Sequence, residues 1–240
     1  MNHHIITIPN KRWSDLIKNE DCRFFLHTKN VLQKLTKYPS VYLKMSNWNS
    51  RDLRQGYEMS LKIKHHNLIR HICYFEFEED IINYLYENIG HEDIYEENAV
   101  ILSPYYRKCT ILDINNMDNM KQIILFLYTA LFAYNISFNS VDINDMYIEE
   151  LKKSKTLEYS INGKQYYIKT KTIVKIDALH HATNTDTMGD VQYNLLYKNI
   201  SSILEQTSLH ANLLDLVKSF IQENGHTVHP IRILNTILSS

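Results

Sequence analysis

Glycine is scarce in this sequence, and its absence from the first part of the chain excludes one kind of nucleotide site. The 240 residues include five glycines, and none precedes Gly56. A loop that covers phosphates needs glycines, because only an unhindered backbone lets N–H groups approach the phosphate oxygens closely. The chain before Gly56 therefore carries no loop of this type.

Disulfide frameworks, membrane spans and a strong net charge are also missing. Three widely spaced cysteines without a Cys-x-x-Cys pair favour buried thiols in a reducing compartment. No apolar run approaches the roughly 20 residues that span a bilayer, and the first residues lack the pattern of a secretory signal. Because 26 basic and 27 acidic side chains nearly cancel, bulk charge indicates neither nucleic acid nor membrane. We expect a cytoplasmic protein without a membrane partner.

The remaining composition and patterning predict a folded α+β protein. Hydrophobic residues make up 44% of the chain, enough for a packed core at this length. Apolar residues that alternate predict strands, and apolar residues at spacings of three and four predict helices. Predicted strands lie at 24–26, 40–45, 72–77 and 99–102, and a strand, an Asn-Gly turn and a second strand are predicted within 159–168. Predicted helices lie at 13–17, 51–64, 120–134, 191–205 and 210–223, with a last helical turn after residue 230.

Two stretches carry a pattern with a recognisable chemistry. The first covers residues 136–148, Ile-Ser-Phe-Asn-Ser-Val-Asp-Ile-Asn-Asp-Met-Tyr-Ile, and the second begins at Lys175 and reads Lys-Ile-Asp-Ala-Leu-His. Together they resemble, in altered form, the catalytic segments of protein kinases, where His-Arg-Asp-Leu is followed by an Asn and later by Asp-Phe-Gly. In that family the first Asp orients the substrate hydroxyl, and the Asn and the second Asp hold metal ions.

When the apolar positions of residues 136–148 are aligned with those of the kinase motif, the resemblance puts Ser140 at the position of the catalytic base. The two metal-binding positions fall on Asp145 and Asp177. A frame shifted by two residues would put Asp142 at the base position, but Tyr147 would then replace the Asn, and we reject that frame. Since a serine does not accept or orient a proton as a carboxylate does, the resemblance implies an impaired site.

The N-terminal part adds further matches to the same family. Val-Tyr-Leu-Lys resembles the kinase strand Val-Ala-Ile-Lys, which implies that Lys44 reaches the nucleotide phosphates. The position of its ion-pair Glu falls on Gly56. Glu58 lies two residues late, so it is either a displaced partner or a solvated helix charge. The following His65–Ile69 segment, His-His-Asn-Leu-Ile, resembles the kinase sequence His-Pro-Asn-Ile-Val.

The resemblance implies a reduced bilobal kinase-like fold. A small antiparallel β-rich lobe would cover residues 1–102, and a mainly helical lobe would cover residues 103–240, with Asp190 at the start of its central helix. No Ala-Pro-Glu follows Asp177. A hairpin inserted at about 151–175 resembles the serine/threonine kinase-like proteins of large DNA viruses, which implies the host cytoplasm or the virion as the location.

The inserted hairpin is basic. Residues 151–175 include seven lysines and one glutamate. Such a run is either a solvated face or a docking surface for an acidic protein partner or nucleic acid.

The altered motifs favour a pseudokinase, although the enzyme class stays open. We expect a binding, scaffold or decoy protein with a protein partner, and either no cofactor or weakly bound Mg-ATP at Lys44, Asp145 and Asp177. The first alternative is a divergent active serine/threonine protein kinase in which Asp142 or Asp145 replaces the base. The second is a module that binds an acidic partner or nucleic acid through the 151–175 hairpin.

The histidines offer one further pattern. His226-x-x-His229 resembles half of a zinc site, but no cysteine or second histidine pair lies nearby in the sequence to complete it. The pairs His65-His66 and His180-His181 are adjacent residues whose side chains we expect to diverge, which favours turns or surface positions over ligand roles.

Overall fold

The chain divides into two compact units. The first comprises Met1–Lys64 and Ile69–Tyr105, and the second comprises His65–Leu68 and Tyr106–Ser240. The predicted boundary between lobes at residue 102 stays a prediction. The structure, a computed structural model, describes residues 4–9, 40–46, 50–71, 73–76, 99–185, 189–207, 211–222 and 230–239. The helix predicted at 13–17, the strand predicted at 24–26 and the pair His226-x-x-His229 lie outside these ranges.

A four-stranded antiparallel sheet forms part of the first unit. Its strands are β1 (His4–Pro9), β2 (Ser40–Ser46), β3 (Cys73–Glu76) and β4 (Ala99–Pro104), in the order β1-β2-β4-β3. The strands predicted at 40–45, 72–77 and 99–102 are confirmed. No pattern predicts β1, because its Ile-Ile-Thr-Ile core lacks a clean alternation of apolar and polar residues.

Among the described residues of this unit, a helix accompanies the sheet. α1 (Ser50–Lys62) confirms the helix predicted at 51–64, and its buried Leu53 packs against Tyr57 and Tyr74. Glu58 lies on the outer face, where it forms an ion pair with Arg54 at 3.1 Å. It is therefore a solvated helix charge, the second of the two interpretations drawn from the sequence.

The second unit is built on a buried helix and a long β-ribbon. Its elements are β5 (Arg107–Lys108), α2 (Ile111–Ile114), α3 (Met117–Tyr134), β6 (Ile136–Phe138), β7 (Met146–Ile161), β8 (Lys164–Ile176), β9 (Ala182–Asn184), α4 (Asp190–Glu205), α5 (Ala211–Gln222) and α6 (Pro230–Ser239). Two short 3₁₀ turns cover Ile143–Asp145 and Leu179–His181. α3 is buried over most of its length, which confirms the apolar helix predicted at 120–134.

The ribbon of β7 and β8 is longer than the predicted hairpin. It turns at Asn162-Gly163, where both residues have positive φ, 51° and 78°, as a two-residue hairpin turn requires. The pairing continues back to Met146 opposite Ile176. Gln122 of α3 is hydrogen-bonded to this end of the ribbon, since its side-chain oxygen accepts the Val174 N–H at 3.0 Å.

The C-terminal helix α6 corrects one prediction. The sequence predicts a single turn after residue 230, but the apolar spacing continues through Ile233, Leu234 and Ile237, which are buried. Tyr128 of α3 donates to the Pro230 carbonyl at 3.1 Å and ties the start of α6 to the core. Antiparallel sheets and separate helices place the whole fold in the predicted α+β class. No helix in the described ranges is both long and apolar enough to cross a membrane.

Candidate functional site

The loop after β6 carries the residue at the predicted base position. Ser140 is exposed, and so is the neighbouring Asn139. Asn199 of α4 holds both sides of this loop. Its side-chain oxygen accepts the Val141 N–H at 2.9 Å, and its side-chain nitrogen donates to the Phe138 carbonyl at 2.8 Å. Because Asn199 is 4% exposed, the loop is anchored from the core and presents a hydroxyl to solvent.

Asp142, the alternative base, caps the 3₁₀ turn that follows it. One oxygen of its carboxylate accepts both the backbone N–H and the side-chain amide of Asn144, each at 2.8 Å. The Asp142 N–H in turn donates to the carboxylate of Asp145 at 3.2 Å. This reciprocal arrangement is a capping box, which stabilises the turn. The Asp142 carboxylate is therefore engaged in hydrogen bonds within its own turn.

The two predicted metal-binding residues lie at adjoining backbone positions. Asp145 ends the 3₁₀ turn before β7, and Asp177 follows the last residue of β8. The Asp177 N–H donates to the Asp145 carbonyl at 2.8 Å. Burial raises the pKa of the Tyr147 hydroxyl, and the charges of Asp177 and Asp145 raise it further, so both carboxylates lie near this phenol. Whether they hold a metal stays a prediction.

Asp145 also has two histidine neighbours that the sequence did not associate with it. One ligand atom from each of Asp145, His180 and His181 lies within 4.8 Å of the other two. The expectation that the adjacent rings diverge is wrong, because the ring centroids of His180 and His181 are 3.9 Å apart. The 3₁₀ turn brings consecutive side chains closer than an extended strand would. The only sequence signal was the pair itself, shortly after Asp177.

Lys175 is the one lysine of the basic segment that is buried. Its ammonium forms an ion pair with Glu149 at 3.0 Å and donates to the His66 carbonyl at 2.7 Å. It also lies 5.5 Å from the centroid of the Tyr106 ring. A buried ammonium needs partners of this kind, so Lys175 belongs to the packing of the second unit.

The first four residues of the segment that resembles His-Pro-Asn-Ile-Val, His65–Leu68, belong to the second unit, and Asn67 ties them to it. Asn67 is fully buried, and its amide nitrogen donates to the Val174 carbonyl at 2.7 Å and to Gln122 at 3.2 Å. Its amide oxygen accepts from the Tyr159 hydroxyl at 2.9 Å. The Asn67 carbonyl accepts the Ile176 N–H. These bonds link the segment to α3 and to both strands of the ribbon.

The histidines that precede Asn67 are held uncharged by burial. Burial lowers the pKa of His65 from 6.5 to about 3, and the neighbouring His66 and Lys175 lower it further. Burial and the same lysine lower the pKa of His66 to about 4. Their ring centroids are 4.3 Å apart, so the expectation that this pair diverges is also wrong.

Two other predicted residues occupy defined backbone positions. Lys44 lies in β2 opposite Ile101, and its side chain lies outside the described part of the chain. Asp190 is the first residue of α4, which confirms the predicted start of this helix. The roles proposed for Lys44, Asp145 and Asp177 in nucleotide binding stay predictions.

Comparison with known proteins gives structural neighbours only. No protein-family model and no curated protein matches the chain. One neighbour is the crystal structure of a kinase domain, with 16% identity and a TM-score of 0.36 over 70% of this chain, and the chain spans about half, 54%, of that domain. Another is a divergent kinase that lacks the glycine-rich loop and regulates membrane ultrastructure of the Toxoplasma parasitophorous vacuole. It has 10% identity and a TM-score of 0.46, over 98% of this chain and 76% of that one.

Both neighbours are protein kinase domains. Their descriptions do not support the resemblance to viral proteins. The identity in each case is too low to carry over an activity or a set of catalytic residues.

Proposed function

We propose that this chain is a kinase-like protein that does not transfer phosphate and acts by binding another protein. The observation that supports the proposal is the loop after β6. It presents Ser140, at the predicted base position, to solvent, and the nearby carboxylate of Asp142 is occupied in capping its own turn. A general base must reach the hydroxyl that it activates, and a serine hydroxyl does not take up a proton at neutral pH. A scaffold or decoy role, in a host cell if the protein is viral, remains part of this proposal.

We expect purified protein to transfer no phosphate from ATP to itself or to generic serine/threonine substrates, with either Mg²⁺ or Mn²⁺. The measurement is incorporation of labelled γ-phosphate over time. Asp177→Ala removes a predicted metal ligand, and Asp118→Asn, an exposed carboxylate on α3, is the matched control. Incorporation that is lost in Asp177→Ala but kept in Asp118→Asn would show an active kinase and overturn the proposal.

Binding of nucleotide without transfer of phosphate is tested by a separate experiment. That experiment is thermal unfolding with Mg-ATP, since a ligand at one hundred times its dissociation constant adds roughly 2.7 kcal/mol to the stability of the folded state. A shift that disappears in both Lys44→Ala and Asp177→Ala would place weak Mg-ATP among the ligands of this protein. No shift at millimolar ATP leaves protein binding as the function proposed.

A second candidate function, recognition of an acidic protein, rests on the ribbon. Six of the seven lysines at 151–175 are exposed: Lys152, Lys153, Lys155, Lys164, Lys169 and Lys171. Tyr167, on the same ribbon, is 63% exposed. Uncompensated exposed lysines attract an acidic surface, and the attraction weakens with salt.

We expect poly-L-glutamate to bind the protein in a salt-dependent way through this ribbon. Reversing two ribbon charges, Lys169→Glu with Lys171→Glu, should weaken binding about tenfold, because each exposed pair contributes up to roughly 1 kcal/mol. The control reverses two exposed lysines elsewhere, Lys62→Glu with Lys198→Glu. Equal weakening in both variants would indicate net charge alone, and tighter binding of a single-stranded oligonucleotide would favour nucleic acid instead.

A further inference from the structure

Asp145, His180 and His181 bring together a set of donor atoms that suits a transition-metal ion. One donor atom of each lies within 4.8 Å of the other two. A zinc ion lies 2.0–2.2 Å from nitrogen and oxygen ligands, which places neighbouring ligand atoms roughly 3.4 Å apart in a tetrahedral site. The three side chains therefore reach ligand distances after shifts of about an ångström, within the range of small side-chain rotations.

The backbone that carries these three residues is held in place by hydrogen bonds. The Asn139 N–H donates to the His181 carbonyl at 2.9 Å, and the Asp177 N–H donates to the Asp145 carbonyl at 2.8 Å. The pairing of β6 with β9 begins next to His181, where Phe138 faces Ala182. Both segments that supply ligands are thus fixed to each other before any ion binds, which lowers the entropy that binding loses.

The orientation of the Asp145 carboxylate is also defined. Its Oδ2 accepts the Asp142 N–H at 3.2 Å as part of the capping box. Hydrogen bonds of this kind orient ligating carboxylates in metal sites and contribute to affinity. Asp177 adds a carboxylate close by that is buried, at 4% exposed, which makes the surroundings favourable to a cation.

We propose that Asp145, His180 and His181 form a binding site for a divalent transition-metal ion, for which Zn²⁺ is the test ion. The kinase resemblance implies Mg²⁺ at Asp145, but two imidazole nitrogens do not fit Mg²⁺, which takes oxygen ligands in octahedral geometry. Imidazole nitrogens with one carboxylate suit zinc and its neighbours in the first row. Three protein ligands leave a fourth position for water or for an oxygen of a bound molecule. The site stands independently of the proposed function, because it needs neither nucleotide nor protein partner.

Calorimetric titration of the metal-free full chain with Zn²⁺ tests this site. We expect binding of one ion to this site, and Mg²⁺ at millimolar concentration should not displace it. Co²⁺ in place of Zn²⁺ should give visible absorption bands of a four-coordinate site with nitrogen ligands. In the wild-type chain, Zn²⁺ should shift the imidazole ¹⁵N resonances of two histidines, a readout that does not depend on any variant folding.

Variants separate this site from the other histidines of the chain. His180→Gln, His181→Gln and Asp145→Asn should each weaken Zn²⁺ binding roughly 100-fold or more, because even residues behind the ligands contribute 10–100-fold. The double variant His226→Ala with His229→Ala is the matched control and should bind as the wild type does. Circular dichroism in EDTA checks that each variant is folded. Unchanged affinity in His180→Gln with His181→Gln, loss of binding in the control, or preference for Mg²⁺ would overturn the proposal.

Discussion

Asn67→Ala is expected to lower the free energy of unfolding of the second unit by about 4 kcal/mol, since it removes the partners of several buried groups at once. The Val174 carbonyl and the Tyr159 hydroxyl each lose a hydrogen bond of 2.7 and 2.9 Å, and Gln122 loses one of 3.2 Å. A buried group left without a partner costs about 1–3 kcal/mol. The measurement is urea unfolding of the wild type and the variant.

A matched variant and a double-mutant cycle separate this network from a general effect of losing an asparagine. Asn194→Ala alters an exposed asparagine on α4 and should change stability by no more than about 0.5 kcal/mol. Tyr159→Phe removes only the hydroxyl that donates to Asn67. Its effect should be smaller in the Asn67→Ala background than in the wild type. Additive effects, or an Asn67→Ala change below 1 kcal/mol, would contradict the role assigned to Asn67.

Acidification from pH 7 to pH 5 is expected to reduce stability by about 2 kcal/mol through His65 alone. The pKa of His65 is lowered to about 3 in the folded chain and is 6.5 without the fold. Between these values the unfolded chain binds more protons than the folded chain, so stability is present at neutral pH and is lost as the pH falls below 6.5. His66, with its pKa lowered to about 4, acts in the same direction.

The slope of unfolding free energy against pH, measured between pH 4.5 and 7 in EDTA, checks this prediction. His65→Gln removes the titrating group and should flatten the slope. Asp113→Asn serves as the control, because hydrogen bonding to Arg107 lowers the pKa of Asp113 to about 2, from 3.8. That carboxylate contributes above its unfolded pKa, and its contribution is lost only at more acidic pH. A slope unchanged by His65→Gln would show that burial of this histidine does not control the acid response.

Local sequence patterns predicted most of the described elements of the fold. The Asn-Gly turn, the apolar helix before residue 135 and the alternating strands each depend on hydrogen bonds and side-chain contacts between near neighbours, so the local sequence is enough to identify them. α6 is longer than the single turn predicted after residue 230, because apolar residues at helical spacing continue through Ile237. The candidate site is harder to predict from the sequence. Alignment with the kinase motifs identifies Ser140, Asp145 and Asp177, but it does not identify the residues that lie next to them.

The amino-acid pattern alone was enough to predict the chemical character of the candidate site: a serine at the predicted base position, two carboxylates at the predicted metal positions and a basic hairpin between them. Which residues lie together at this site follows from the pairing of distant segments. The registers of β7 with β8 and of β6 with β9 bring His180 and His181 to Asp145, and Asn67 is hydrogen-bonded to the end of β8. Contacts of this kind depend on the pairing of segments that are far apart in the chain, and a local sequence pattern does not specify that pairing.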